Sequence, residues 1–243
     1  MKYFYYPNLY SDTQEIVDCK YIDDKFAICL EQTIFYPKGG GQPCDTGTIE
    51  FNNNIWQVSL VVNIEGVIYH FLENYQQGLE IGDVVELRVD NQKRILNSKL
   101  HTIGHLIDEA MIQLELFDKL IPTKGYHYPP VSSVEYEGNI DGINLYDLSL
   151  QIQNKVNAMI TTGFKTQSFF ITLDQVLQFC HTQTYDVKAL SKANQQLRVV
   201  IVWGNKGIMC GGTHIQDISQ IGAIEIPKIT FKKNILKISY CLK

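Results

Sequence analysis

His101 and His105 stand four residues apart in the stretch His101-Thr-Ile-Gly-His105. On a helix that spacing stacks two imidazoles on one face, one turn apart, where both can reach a single metal ion. A second pair, Cys210 and His214, repeats the spacing in Cys210-Gly-Gly-Thr-His214. Cys and His are favoured zinc ligands, often supplied as two close pairs from distant parts of a chain. Each half alone also has a plainer reading: two surface histidines on a helix, or a buried thiol acting as a small hydrophobe. One four-ligand site of His101, His105, Cys210 and His214 is the more economical account of both. Thr102 stands where a zinc peptidase helix would carry Glu, so that pattern is absent.

The elements that must hold these side chains follow from periodicity. Leu96, Leu100, Ile103, Ile107, Ala110, Met111 and Leu114 recur at a helical period, which predicts a helix capped by Asp90 or Asn91 and running to about Phe117. Asn97 and Asp108 fall on the histidines' side of it. Gly104 is a poor helix former, and its missing side chain leaves room for something to approach. Before that helix, β-branched and aromatic runs at Lys25 to Leu30, Ile55 to Val62, Val67 to Leu72 and Val84 to Val89 predict short strands and a small barrel. Among them lies the stretch from Thr33 to Gly47, with Gly39, Gly40, Gly41 and Gln42 at its centre. It reads as a loop whose amides and Gln42 meet a ligand, or as a tight barrel corner; Gln-Pro after three glycines favours the ligand. After the helix come His127 between two tyrosines, a strand from Val131 to Tyr136, a helix from Leu145 to Thr161 ended by Gly163, and strands at Phe169 to Thr172 and Leu197 to Trp203. A short helix from Asp174 to Phe179 lies between those two strands, and a hairpin turning at Lys233-Asn234 closes the series. The expected fold class is α+β: a small N-terminal β-barrel over 1–90, then an α/β zinc-binding domain with an antiparallel sheet over 91–243.

The 243 residues, 45% hydrophobic and 19% charged, suit a globular chain of one large or two modest domains. No run approaches the ~18 apolar residues of a membrane span, and the first residues carry no signal-like apolar region. Six cysteines without framework spacing suggest reduced thiols and a cytoplasmic location. A net charge of −5 does not advertise nucleic acid. Local patches differ: Lys93, Arg94 and Lys99 precede the first histidine, and after Glu225 only bases follow, among them Lys228, Lys232 and Lys233. Such patches could hold a few phosphates or could be ordinary solvated surface.

The three motifs in this order, Gly39-Gly-Gly-Gln-Pro43, His101-x-x-x-His105 and Cys210-Gly-Gly-Thr-His214, resemble the editing domain of alanyl-tRNA synthetase. More closely, the chain is similar to the free-standing AlaX proteins, of the medium-sized class. The resemblance implies an editing domain after the barrel, zinc on the four ligands, and hydrolysis of tRNA-Ala mischarged with serine or, in some members, glycine. It implies that the segment of Thr123, Lys124 and Gly125 lines the amino-acid pocket. Gly211 and Gly212, beside Thr213, are then candidate oxyanion donors, because glycine permits close approach. Lys38, Cys44 and Met209 stand where the family often has Glu, a small residue such as Ser, and Pro. The expected partner is mischarged tRNA-Ala, with no membrane and no nucleotide cofactor; oligomeric state is open. Two alternatives stay open, a tRNA-binding module with a structural zinc and a zinc-dependent hydrolase of other small esters.

Overall fold

The computed structural model describes residues 1–4, 6, 8–181 and 196–243. The chain divides into two compact units, 1–97 and 98–243.

The first unit is a closed antiparallel barrel of six strands. They are β1 (Ser11–Ile22), β2 (Lys25–Leu30), β3 (Gly47–Phe51), β4 (Asn54–Ile64), β5 (Val67–Leu72) and β6 (Val84–Val89), in the spatial order β1-β2-β5-β4-β3-β6. Closure removes the open edges that would template aggregation. Hairpins β1–β2, β3–β4 and β4–β5 each turn on two residues with positive φ: Asp23-Asp24, Asn52-Asn53 and Glu65-Gly66. That backbone matches the right-handed strand twist and is tolerated best by Asn, Asp and Gly. The barrel interior is filled by Ile16, Ile28, Ile34, Phe35, Ile49, Val61, Val85 and Leu87, all fully buried. Strands β1 and β3 were not among the sequence-derived runs. β1 alternates acids with few apolar residues, and β3 is only five residues long.

Helix α1 (Asn91–Gln113) starts at Asp90, whose carboxylate accepts from the Lys93 amide at 3.1 Å. It ends four residues short of the expected Phe117. Glu115 takes a left-handed φ of 58°, and the Leu116 amide bonds back to Met111 O at 3.0 Å, closing the last turn. From Leu100 to Met111 every residue of this helix is buried. The polar side inferred from Asn97 and Asp108 is therefore an interior side.

In the second unit, β7 (Leu120–Tyr126), β8 (Ser132–Gly138), β12 (Ile224–Lys232) and β13 (Ile235–Leu242) form an antiparallel sheet of order β12-β13-β8-β7. Lys233 and Asn234 make its terminal two-residue turn, with φ of 51° and 61°. Helix α2 (Leu145–Thr161) begins at Asn144, whose side chain accepts from the Tyr146 and Asp147 amides. It runs beside β12: Gln153 and Asn157 side chains accept from the Ile226 and Ile224 amides, both at 2.9 Å, which satisfies that edge strand. A second, three-stranded sheet joins β9 (Gln167–Ile171), β10 (Leu197–Ile201) and β11 (Ile208–Met209), with the one-turn helix α3 (Val176–Phe179) after β9. Residue 210 follows β11 directly, so this sheet delivers the second ligand pair.

Candidate metal centre

His101 and His105 come from consecutive turns of α1, and Cys210 and His214 from the loop that leaves β11. Their four ligand atoms lie within 4.8 Å of one another. Cys210 Sγ is 3.3 Å from His101 Nε2 and 3.4 Å from His214 Nε2. A tetrahedral zinc with sulfur and nitrogen ligands would set such pairs about 3.6 Å apart.

The loop is held from behind by Arg198 on β10, whose Nη1 donates to Cys210 O at 2.8 Å and Gly212 O at 2.9 Å. The Gly212 amide donates to Cys210 Sγ at 3.3 Å. The Gly212 amide is thus engaged with the sulfur, whereas Gly211 is exposed. Thr213 is buried, its hydroxyl 2.7 Å from that of Ser98.

Proton bookkeeping aims two imidazoles at Cys210. The Thr102 hydroxyl gives its one hydrogen to Ser98 O at 2.7 Å and accepts from the Ile215 amide at 3.2 Å. It must therefore accept from His214 Nδ1–H, 3.3 Å away, which leaves the His214 Nε2 lone pair free to ligate. His105 Nδ1 lies 3.4 Å from Asp108 Oδ2, and Asp108 Oδ1 accepts from the buried Tyr136 hydroxyl at 2.6 Å. Opposite that contact, His105 Nε2 is buried with no hydrogen-bond partner among the described residues. An orphaned imidazole nitrogen aimed into a Cys/His cluster is what a metal ligand looks like, so the residues present fit a divalent metal with a taste for nitrogen and sulfur.

The electrostatics of His101, His214 and Cys210 agree with that donor set, whereas His105 favours its protonated form and would have to give up a proton to bind a metal. Burial, aided by neighbouring imidazoles, holds His101 and His214 well below 6.5, so both are neutral ligands. Burial would also push His105 down, but Asp108 and the Cys210 sulfur outweigh it and carry it up to about 10. For Cys210 burial pulls upward and is overcome by His105, the Gly212 amide and Arg198, which lower the thiol and favour thiolate.

His127 is not one of the four. It lies flat against His101, ring centroids 4.3 Å apart at 18°, and its Nδ1 is 2.6 Å from the Tyr240 hydroxyl. Tyr240 donates onward to Leu100 O at 3.0 Å, so His127 carries its hydrogen on Nδ1. Burial, then the charge of His105, takes its pKa down to about 3. What approaches Gly104 is this ring: a Cβ there would sit 2.5 Å from His127 Cε1, and one on Gly125 2.5 Å from Nε2. Two glycines on two elements thus make room for one histidine.

The other expected residues fall as follows. Thr123 is exposed at a bulge of β7, and its hydroxyl donates to Glu135 O at 3.1 Å; Lys124 is also exposed. Glu135, the residue whose carbonyl takes that bond, pairs through its carboxylate with Lys237 at 3.2 Å. In the barrel, Gly40 and Gly41 adopt φ of 52° and 76°, and the amides of Gly39 and Gln42 bond to each other's carbonyls. The corner reading accounts for these glycines. Gln42 and Thr33 are buried, and the Thr33 hydroxyl is 2.8 Å from His70 Nε2, so neither side chain faces a ligand in solution. Arg94 is 1% exposed and bound to Asp45 and Ile34 O. That excludes it from phosphate contact and corrects the expectation. Lys93 is exposed and 3.5 Å from Asp90; Lys99 is half-buried; Lys228, Lys232 and Lys233 are exposed. Thr102, Asp108, Tyr136, His127 and Tyr240 complete the surroundings of the ligands. Asp108 gave a signal in the sequence by its place on the histidines' side of the helix, and His127 gave one that fits a third metal ligand and a pocket or core histidine equally.

Comparison with known proteins gives a broad likeness first. Residues 7–93 match the family described as tRNA synthetases class II (A). The chain is 27% identical over 246 residues to an alanine–tRNA ligase of Caldivirga maquilingensis, covering 93% of this chain but 25% of that one. The likeness then narrows: it is AlaX-like over nearly its whole length. It is 25% identical over 241 residues to the alanyl-tRNA editing protein AlaX-L of Pyrococcus horikoshii, covering 98% of this chain and 56% of that protein. With AlaX-M of Methanosarcina barkeri it shares 26% identity over 243 residues, covering 94% and 93%. The chain therefore spans about half of the first relative and nearly all of the second.

Proposed function

We propose that this chain is an aminoacyl-tRNA deacylase acting in trans on mischarged tRNA-Ala. Ser-tRNA-Ala is the leading substrate and Gly-tRNA-Ala the second, at a zinc ion held by His101, His105, Cys210 and His214. The observation that carries the reading is the four-donor cluster, its three histidines buried and His105 Nε2 without a hydrogen-bond partner among the described residues, in a chain similar to AlaX editing proteins over nearly its whole length. Zinc there would supply Lewis-acid polarisation of the ester or a water acidified toward roughly pKa 7. The chain's own groups do the rest. Thr102 and Asp108 fix the imidazole tautomers, and the exposed Gly211 amide is offered to developing negative charge. The Thr123 hydroxyl spends its hydrogen on Glu135 O and keeps lone pairs that could accept from a serine hydroxyl. A site built to bond that hydroxyl rejects alanine by up to about 10⁴-fold. Exposed Lys93, Lys228, Lys232 and Lys233, with half-buried Lys99, would meet tRNA phosphates, and the cytoplasm is the matching compartment.

One observation favours a second reading. Four protein donors close a tetrahedral set, which is the habit of structural zinc, whereas catalytic zinc keeps an open position. A tRNA-binding module with structural zinc would bind tRNA and leave the ester intact. The test is deacylation of Ser-tRNA-Ala against Ala-tRNA-Ala by zinc-loaded protein and by a Cys210→Ala/His214→Ala variant. Serine-selective release that is lost in the variant supports the deacylase. Stoichiometric zinc without release of either amino acid overturns it in favour of the binding module.

A further inference from the structure

The inner face of the β12-β13-β8-β7 sheet is covered by α1, through Tyr136 to Asp108 and Tyr240 to Leu100 O. Its other face carries two cross-strand rows. One is Lys124, Glu135, Lys237 and Thr230; the next is Tyr126, Ser133, Ser239 and Lys228. Lys124, Lys237 and Lys228 are exposed, and the Glu135 carboxylate is paired with Lys237. Tyr126 is 47% exposed and stacks on Tyr128, centroids 4.4 Å apart at 19°. These two tyrosines flank His127, whose ring turns the opposite way to lie on the ligand His101. The edge strand β7 thus presents Lys124 and Tyr126 outward, and Tyr128, two residues past the strand's end and half-buried, stacks on Tyr126, with the side chain between the two tyrosines touching the His/Cys cluster.

We propose that Lys124, Tyr126 and Tyr128 form a stacking platform for the unpaired 3′ segment of the RNA; this rests on the deacylase reading and names how that substrate is held. Bases stack on aromatic rings without regard to identity, and a neighbouring lysine meets the backbone phosphate, which is the usual chemistry of single-strand binding. Within these two rows three lysines stand against one glutamate that is already paired, a local excess of base facing a polyanion in a chain of net charge −5. The terminal nucleotide would turn around the open edge of β7 toward the ligands, while the preceding bases stay on the tyrosines.

The probe is an uncharged, fluorescently labelled RNA hairpin with a four-nucleotide 3′ overhang, ACCA, compared with the same hairpin made blunt. With the zinc-loaded wild-type chain, affinity should fall stepwise as the overhang is shortened, a result that needs no variant. Tyr126→Ala/Tyr128→Ala should weaken overhang binding by about tenfold or more and leave blunt binding unchanged, since each stacked base is worth ~1–3 kcal/mol. The Phe pair should bind as wild type, and Tyr146→Ala, an exposed tyrosine on α2, should have no effect. Equal affinity for overhang and blunt RNA, or an alanine pair that binds both as wild type does, overturns the platform. Because no ester is cleaved in this assay, failure of the deacylase reading shows in the release experiment and failure of the platform shows here.

Discussion

Thr102 illustrates how much of a candidate metal site is set by residues outside the donor set. Its single hydroxyl hydrogen fixes which nitrogen of His214 is free. Thr102→Val keeps the shape and removes that logic. Metal affinity should fall by roughly 10–100-fold, the usual cost of losing such a partner, with the fold retained; competition with a chromogenic chelator reads it. In the barrel, His70 is fully buried and neutral, its pKa taken down to about 4 by burial against a bond to Ile28 O. Its folded pKa lies below the unfolded value, so the unfolded chain binds the extra proton. Stability is whole above about pH 6.5 and is lost progressively as pH falls toward 4, by about 3 kcal/mol at most. Urea titrations from pH 7.5 to 4.5, followed by Trp56 in a Trp203→Phe background, should show that slope, and His70→Gln should flatten it. That His101, His105, Cys210 and His214 come together was legible because metal chemistry demands particular atoms at particular spacings. His127 was not, because a histidine between two tyrosines looks the same whether it braces a ligand or fills a core.

At the scale of elements, α1 shows why some boundaries were legible and others not. Its start follows from the Asp90 cap and its apolar period, whereas its end depends on Glu115 accepting a left-handed backbone, which sequence does not advertise. The α2 helix, Leu145–Thr161, was readable at both ends because its Asn144 cap and Gly163 stop are local. β7 was missed as a strand because Pro, Thr, Lys and Gly dilute its pattern. Gly104 gives a prediction of this scale. Alanine there gains up to about 1 kcal/mol of helix propensity, yet its Cβ would press 2.5 Å from the His127 ring. Overpacking of that kind costs about 1–3 kcal/mol, so Gly104→Ala should lower the unfolding midpoint rather than raise it. The companion variant Gly104→Ala/His127→Ala, which removes the ring, should show non-additive recovery in a double-mutant cycle.

For the whole molecule, the two units invite separate observation. Residues 1–97 draw on a closed barrel, and residues 98–243 include ligands 109 positions apart, from His101 to Cys210. Chelation should therefore lower the transition reported by Trp203 by roughly 10 °C or more while that of Trp56 moves little, since metal-binding energy is folding energy only for the unit that binds. Coincident shifts in both probes would show that metal binding stabilises the barrel as well. The α+β class was legible from strand runs followed by a helix period. The division falling inside α1, between Asn97 and Ser98, was not, because one uninterrupted helix gives no local sign of changing partners.

The barrel's last strand, β6, ends at Val89 and pairs with β1 and β3, whereas the second ligand pair begins at Cys210. Order of synthesis then matters. A growing chain can close the barrel once β6 emerges, and the two histidines of α1 follow soon after. At cellular elongation rates, roughly 10 s pass before Cys210 is even made. The first unit is thus free to fold on the ribosome, and any metal the cluster takes would enter as a late event in the life of the chain.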